Sequence, residues 1–145
     1  MKAILIPILL FAAAANAVAS GWTKLATAQN GTVLMVDGES LISDGNYRSA
    51  WFKLIEPQVS DLPEGVTPNV SVPPGLKVAY SKSLASARCT KRRIGLLQAV
   101  YYGADDTVLG ELPLQRVARV DFTEPLPNTV EDAELEYLCK APLAR

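Results

Sequence analysis

The feature that most constrains the fold is the pair of cysteines, Cys89 and Cys139, which are the only two in the 145-residue chain. Two thiols allow one intramolecular pairing. The loop that it closes would hold about 50 residues, for which the chain-entropy model gives roughly 4 kcal/mol of stabilisation. A redox-active pair is the alternative, but the Cys-X-X-Cys spacing that lowers a thiol pKa is missing. We therefore expect a structural disulfide, provided that the chain is exported.

The amino-terminal segment predicts export. Lys2 precedes an apolar run over residues 4–11, and small residues follow up to Ser20. This order is typical of a secretory signal peptide, which we assign to residues 1–19. A transmembrane anchor is the alternative, but the run is shorter than the roughly 20 apolar residues that a spanning helix needs. No cysteine follows for lipidation, so we expect a periplasmic or secreted protein with no membrane span and with disulfide-permitting surroundings.

Residues 20–145 are predicted to form a single domain. The chain has 14 basic and 15 acidic residues, a net charge of −1, which argues against a specific nucleic-acid binder. It contains no histidine, and so lacks the commonest general base and metal ligand. The adjacent acids Asp105-Asp106 and Glu131-Asp132 are explained by a tight turn and by a helix start. We expect no enzymatic activity, no cofactor and no metal site.

The pattern of apolar and turn residues predicts an α+β fold that is mainly β. Asn30-Gly31 between strand-like runs indicates a hairpin. Further strands are predicted over residues 47–55, 77–89 and 93–102, where β-branched and aromatic residues are frequent. Thr129 can cap a C-terminal helix. We expect an antiparallel sheet of five or six strands, with the helix tied to it by the disulfide.

A proline-rich loop is predicted over residues 57–76, which carry five prolines and little periodicity. Proline cannot donate a hydrogen bond to a β-ladder, so this segment is interpreted as a surface loop and not as a strand. Loops of this length are usually functional or disordered. Between these alternatives the sequence favours disorder over a binding loop.

Positive charge is concentrated in one segment. No Asp or Glu occurs between Lys77 and Tyr102, although the whole chain is slightly acidic. If this segment folded onto one face, it would attract an anionic glycan or an acidic protein. The alternative is that its basic residues are solvated, alternate across both strand faces and discourage edge-to-edge pairing. The candidate binding residues are Lys77, Lys82, Arg88, Lys91, Arg92 and Arg93.

Several short motifs follow one another in a characteristic order: Trp22, then Val36-Asp37-Gly38-Glu39-Ser40-Leu41, the aromatic pair Trp51-Phe52, Cys89 and a closing Leu138-Cys139. In this order the chain resembles the bacterial surface-adhesin protein E family. The resemblance implies an antiparallel sheet, a C-terminal helix and one disulfide. It also implies binding of host matrix or serum proteins through a basic segment around the first cysteine. The best-known adhesin is a lipoprotein, whereas this chain has no lipidation cysteine.

Two hypotheses follow for the function. The first is a non-catalytic, exported, adhesin-like protein whose basic segment contacts host matrix proteins or anionic glycans. The second is a periplasmic structural or inhibitory interaction protein with no role in adhesion. The sequence leaves the oligomeric state open, a homodimer included.

Overall fold

The computed structural model describes residues 21–143, so the signal peptide assigned to residues 1–19 lies outside the described residues. The described part forms one antiparallel sheet with a single α-helix on one of its faces. The strands are β1 Trp22–Thr27, β2 Val33–Asp37, β3 Ile42–Asp44, β4 Tyr47–Ser60, β5 Thr67–Pro68, β6 Val78–Arg88, β7 Arg93–Tyr102 and β8 Val108–Leu112; the helix is α1 Val130–Lys140. Within residues 21–143, no helix is long and apolar enough to span a bilayer.

The two longest strands, β4 and β6, lie side by side at the centre of the sheet. The strand order is β1-β2-β4-β6-β7-β8-β5, and β3 pairs with β4 in addition. In the β4–β6 register, Ala50 is opposite Ala85 and Phe52 is opposite Ser83. All four of these residues are buried. Because side chains alternate between the faces of a strand, this register sets one apolar face against α1.

The helix begins and packs as its sequence predicts. The Thr129 hydroxyl accepts a hydrogen bond from the Asp132 backbone N–H at 3.3 Å, as an N-cap residue does. Leu135 and Leu138, three positions apart, are 1% and 0% exposed and lie in the same core as Phe52. The predicted C-terminal helix is therefore confirmed, and Leu135 and Leu138 form its buried face.

The disulfide joins Cys89 to Cys139, with the two Cα atoms 5.5 Å apart. Cys89 begins the 3₁₀ turn Cys89–Lys91 that links β6 to β7, and Cys139 lies in the last turn of α1. The predicted fold class is confirmed: a mainly β, antiparallel α+β fold with a C-terminal helix tied to the strands.

The structure has eight strands where the sequence predicts five or six. The additional ones include β3 and β5, which are three and two residues long and carry no readable alternation. β4 also continues to Ser60, five residues beyond the predicted end at Ile55. Pro57 is tolerated there because the β4–β6 register is irregular between Ile55 and Ser60, and irregular positions need no proline N–H.

The rest of the proline-rich segment is anchored to β8. Thr67 and Pro68 pair with Glu111 and Gly110. Beyond that pair, Asn69 donates from its backbone N–H to the Leu109 carbonyl at 2.9 Å and from its side chain to the Val108 carbonyl at 2.9 Å. The segment thus covers one edge of the sheet.

Removing the disulfide is expected to destabilise the fold strongly. In the double variant Cys89→Ala, Cys139→Ala, the unfolded chain regains the freedom of a roughly 50-residue loop, so the free energy of unfolding should fall by about 2–4 kcal/mol. Urea denaturation followed by circular dichroism measures this change. The wild-type protein under reducing conditions is the matched control and should unfold at the same urea concentration as the variant. Equal midpoints for oxidised wild type and variant would contradict the role given to the bond.

The helix also carries a buried carboxylic acid, that of Glu134. Glu134 is 6% exposed, and burial, followed by the charge of Glu131, raises its pKa from 4.5 to about 8. A carboxyl group whose pKa is raised on folding stabilises the fold fully below its unfolded pKa. That contribution is lost as the pH rises through the folded pKa.

We expect the protein to lose stability between pH 5 and pH 8, because ionised Glu134 has to be accommodated in the interior. The shift corresponds to an upper limit of roughly 5 kcal/mol across this range. Thermal unfolding at a series of pH values measures the loss. Glu134→Gln keeps the shape without the titrating proton and should flatten the profile, whereas Glu136→Gln, exposed on the same helix, should leave it unchanged. Parallel profiles for all three proteins would refute the assignment to Glu134.

Candidate binding surface

The sheet face opposite α1, which we call the open face, carries a row of three lysines. Strand pairing places Lys24 opposite Met35, Met35 opposite Lys53, and Lys53 opposite Lys82. Residues paired directly across strands point to the same face. The lysine row, defined as Lys24, Lys53 and Lys82, therefore crosses β1, β4 and β6 at right angles to the strands.

The lysine row brings like charges together. Neighbouring strands are about 4.8 Å apart, which places the Cα atoms of Lys53 and Lys82 roughly 5 Å apart and that of Lys24 about 10 Å from Lys53. Like charges directly opposite each other destabilise a sheet. Among residues 21–143, no ion pair involves any of the three lysines. Repulsion within the row is thus not relieved by a direct ion pair in residues 21–143; the carboxylates of Glu111, which is opposite Val100, and of Asp106, which binds Tyr80, lie farther from the ammonium groups.

Aromatic rings contact two lysines of the row, Lys53 and Lys82. The Lys53 Nζ lies 4.2 Å from the centre of the Tyr80 ring, and the Lys82 Nζ lies 5.2 Å from that of Tyr102 and 5.6 Å from that of Trp22. The Tyr80 and Tyr102 rings are stacked, 4.7 Å between centres and 8° from parallel. A cation over an aromatic face gains electrostatic attraction. The rings therefore orient the ammonium groups without neutralising them.

The phenol of Tyr80 stays uncharged beneath Lys53. Its hydroxyl donates a hydrogen bond of 2.6 Å to Asp106 Oδ1 in the β7–β8 turn. Burial, that hydrogen bond and the Asp106 charge raise the Tyr80 pKa well above its ordinary value. The turn acid thereby positions an aromatic ring of the open face.

The six basic residues predicted from the sequence are not brought together in one cluster. Lys82 lies in the lysine row. Lys77 precedes β6 and forms an ion pair with Asp61. The remaining four residues lie at or just beyond the far end of β6, and Arg88 is about 20 Å along the strand from Lys82. We call these four the hairpin tip; they are Arg88, Lys91, Arg92 and Arg93.

Two residues of the hairpin tip have partners within the protein. The Arg88 guanidinium lies 5.5 Å from the centre of the Tyr47 ring. Arg92 has a left-handed backbone, φ 48°, and pairs with Asp132 of α1 at 3.5 Å. Lys91 and Arg93 are exposed, and within residues 21–143 neither forms an ion pair. Lys91 and Arg93 are therefore the two tip residues that contact neither an acid nor an aromatic ring within residues 21–143.

The basic segment does not include Lys24, Lys53 or Trp22, so these residues were not predicted to take part in binding. Their proximity to Lys82 depends on the pairing of β2 with β4 and of β4 with β6, strands that are not consecutive in the chain. The usable signal was the alternation in β4, where Trp51 and Lys53 interrupt the apolar positions Ala50, Phe52 and Leu54. That alternation assigns Lys53 to the face away from the core.

Comparisons with known proteins support the fold. No protein-family model matches the chain, and no curated protein matches it in sequence. A solved structure of Haemophilus influenzae protein E is 13% identical, with a TM-score of 0.54, and covers 84% of this chain and 86% of that one. Its selenomethionine form is 13% identical, with a TM-score of 0.55 and coverages of 86% and 89%. At such identity the likeness shows the fold alone.

A further crystal form of the same Haemophilus influenzae protein is 14% identical, with a TM-score of 0.56, and covers 84% of this chain and 89% of that one. In each case most of both chains is aligned. The chain therefore has the protein E fold across nearly all of its described residues.

Proposed function

We propose that the protein is a non-catalytic, exported binding protein of the protein E type, and that its open face holds an anionic partner. The observation that carries the proposal is the direct opposition of Lys53 and Lys82 without an ion pair. Such an arrangement lowers the stability of the free sheet. A polyanion lying across the strands would convert this repulsion into attraction.

Surface geometry favours an elongated, flexible anion such as a sulfated glycan. The lysine row extends over about 14 Å across the strands, and the rings of Trp22, Tyr80 and Tyr102 lie under or beside its ammonium groups. Planar rings offer apolar contact area at small entropic cost, and ammonium groups attract sulfates or carboxylates. The two features together suit a chain of charged sugar rings.

Lys91 and Arg93 supply a second contact on the same molecule. They are exposed at the hairpin tip, where the sequence resemblance to the adhesin family places its basic segment. A long polyanion or an acidic region of a host matrix protein could contact both the lysine row and the tip. Two such contacts raise the apparent affinity through effective concentration.

Heparin serves as the probe. We expect the disulfide-bonded protein to bind heparin-Sepharose at low salt and to elute as salt rises, because exposed charges are screened. The double variant Lys53→Gln, Lys82→Gln should bind roughly tenfold more weakly, since each lost contact of about 0.2–1 kcal/mol adds to the other. Titration of a heparin oligosaccharide by calorimetry measures the change.

The matched control is Lys77→Gln, Lys140→Gln, which removes the same charge from two exposed lysines away from the row. This control should retain wild-type affinity. The pair Lys91→Gln, Arg93→Gln, expected to weaken binding less, tests the tip. If control and row variants eluted at the same salt concentration, attraction would come from net charge alone and the open face would not be the site. Absence of retention by wild type would favour the periplasmic interaction protein instead.

A further inference from the structure

A cavity of about 430 Å³ lies on the other side of the sheet, between the strands, α1 and the segment 121–123. This volume is within the range of small-molecule sites, about 300–1,000 Å³. Leu54, Leu96 and Ala99 contribute apolar walls. The cavity is separated from the open face by the sheet, so it is independent of the function proposed above.

Two buried polar side chains line this cavity without a partner. Glu134 is 6% exposed and Ser83 is 7% exposed. Within residues 21–143, neither side chain forms a hydrogen bond or an ion pair with the protein. A buried polar group without a partner costs free energy, and a carboxylate costs far more than a hydroxyl. The oxygens of Glu134 and Ser83 keep contact with solvent in the cavity, and α1 gives Glu134 no protein partner, so both groups are available to a ligand.

The charges around the cavity have one sign. Glu131 of α1 and Asp121 of the segment 121–123 line it together with Glu134. The strands β4, β6 and β7 contribute no charged residue to the lining, and Tyr101 of β7, whose pKa is raised by burial, is neutral. Burial is the larger cause of the raised Glu134 pKa and the charge of Glu131 is the second; that negative charge also attracts an organic cation.

We propose that this cavity binds a small organic cation: a protonated amine carried on an apolar body of about ten heavy atoms. The ammonium group would contact the Glu134 carboxylate and the Ser83 hydroxyl. The apolar body would lie against Leu54, Leu96 and Ala99. The rim acids Glu131 and Asp121 would attract the cation toward the cavity.

Binding of the cation displaces a proton. Glu134 is mostly protonated in the free protein at neutral pH, since its pKa is about 8. The ammonium group pairs with the ionised form, so the carboxyl proton leaves to solvent as the cation enters. Affinity should therefore rise as the pH rises to about 8, approaching tenfold per pH unit below that value. Above it affinity should level off until the amine itself loses its proton near pH 10.

Phenethylamine is the probe, with 2-phenylethanol as its uncharged counterpart. Calorimetry and chemical-shift mapping on the disulfide-bonded protein should show phenethylamine binding at submillimolar concentration at pH 8, with shifts at Ser83, Leu96 and Glu134. The alcohol should bind at least tenfold more weakly. Equal binding of the two compounds, or no shift at the cavity with 10 mM phenethylamine, would overturn the proposal.

Substitutions at three glutamates of α1 separate the contribution of Glu134 from those of its neighbours. Glu134→Gln preserves shape and removes the charge, and should weaken phenethylamine binding more than tenfold at pH 8 and abolish its pH dependence. Glu131→Gln should weaken binding a few-fold, because it acts from the rim. Glu136→Gln removes an exposed charge from the same helix and should bind as wild type does. Undiminished binding by Glu134→Gln would refute the assignment, whatever the effect of these substitutions on the open face.

Discussion

The sheet is much wider than the α-helix that packs on it, and the rest of the structure depends on this difference in width. An 11-residue helix is about 16 Å long and 10 Å across, whereas seven strands side by side extend over about 29 Å. α1 accordingly lies over β4, β6 and β7, and within residues 21–143 no α-helix covers the opposite face. That face needs side chains that combine an apolar stem with a polar end that reaches solvent, as lysine and tyrosine do. The proposed binding surface therefore follows from the same shortage of covering layers.

With one helix on the sheet, its attachment matters more than in a larger core. Leu135 and Leu138 supply the buried contacts, and the disulfide to Cys89 prevents the last turn of α1 from separating. Arg92 adds a contact with Asp132 near the helix start. The turn from Cys89 to Arg92 thus fixes both ends of the helix, which explains why part of the basic segment has structural partners and is unavailable for binding.

Local signals predicted most of the fold. The Asn30-Gly31 hairpin, the Thr129 cap and the two cysteines each act within a few residues or have a single solution, so they can be read without coordinates. The lysine row could not be read in this way, because Lys24, Lys53 and Lys82 belong to strands whose register is fixed by the shared core. Proline content misled in one place, since an irregular pairing next to Ser60 accommodates Pro57 inside β4.

The same sheet separates two sites of opposite charge. The lysine row is on one face, and Glu134 with its acidic rim is on the other, although the net charge of the chain is only −1. Because the two sites project to opposite sides of the sheet, more than a screening length of about 8 Å separates their outer charges in physiological salt. A polyanion on the open face and an amine in the cavity would therefore contribute nearly additive binding energies. Coupling between them would require movement of β4 or β6, the strands that contribute residues to both sites.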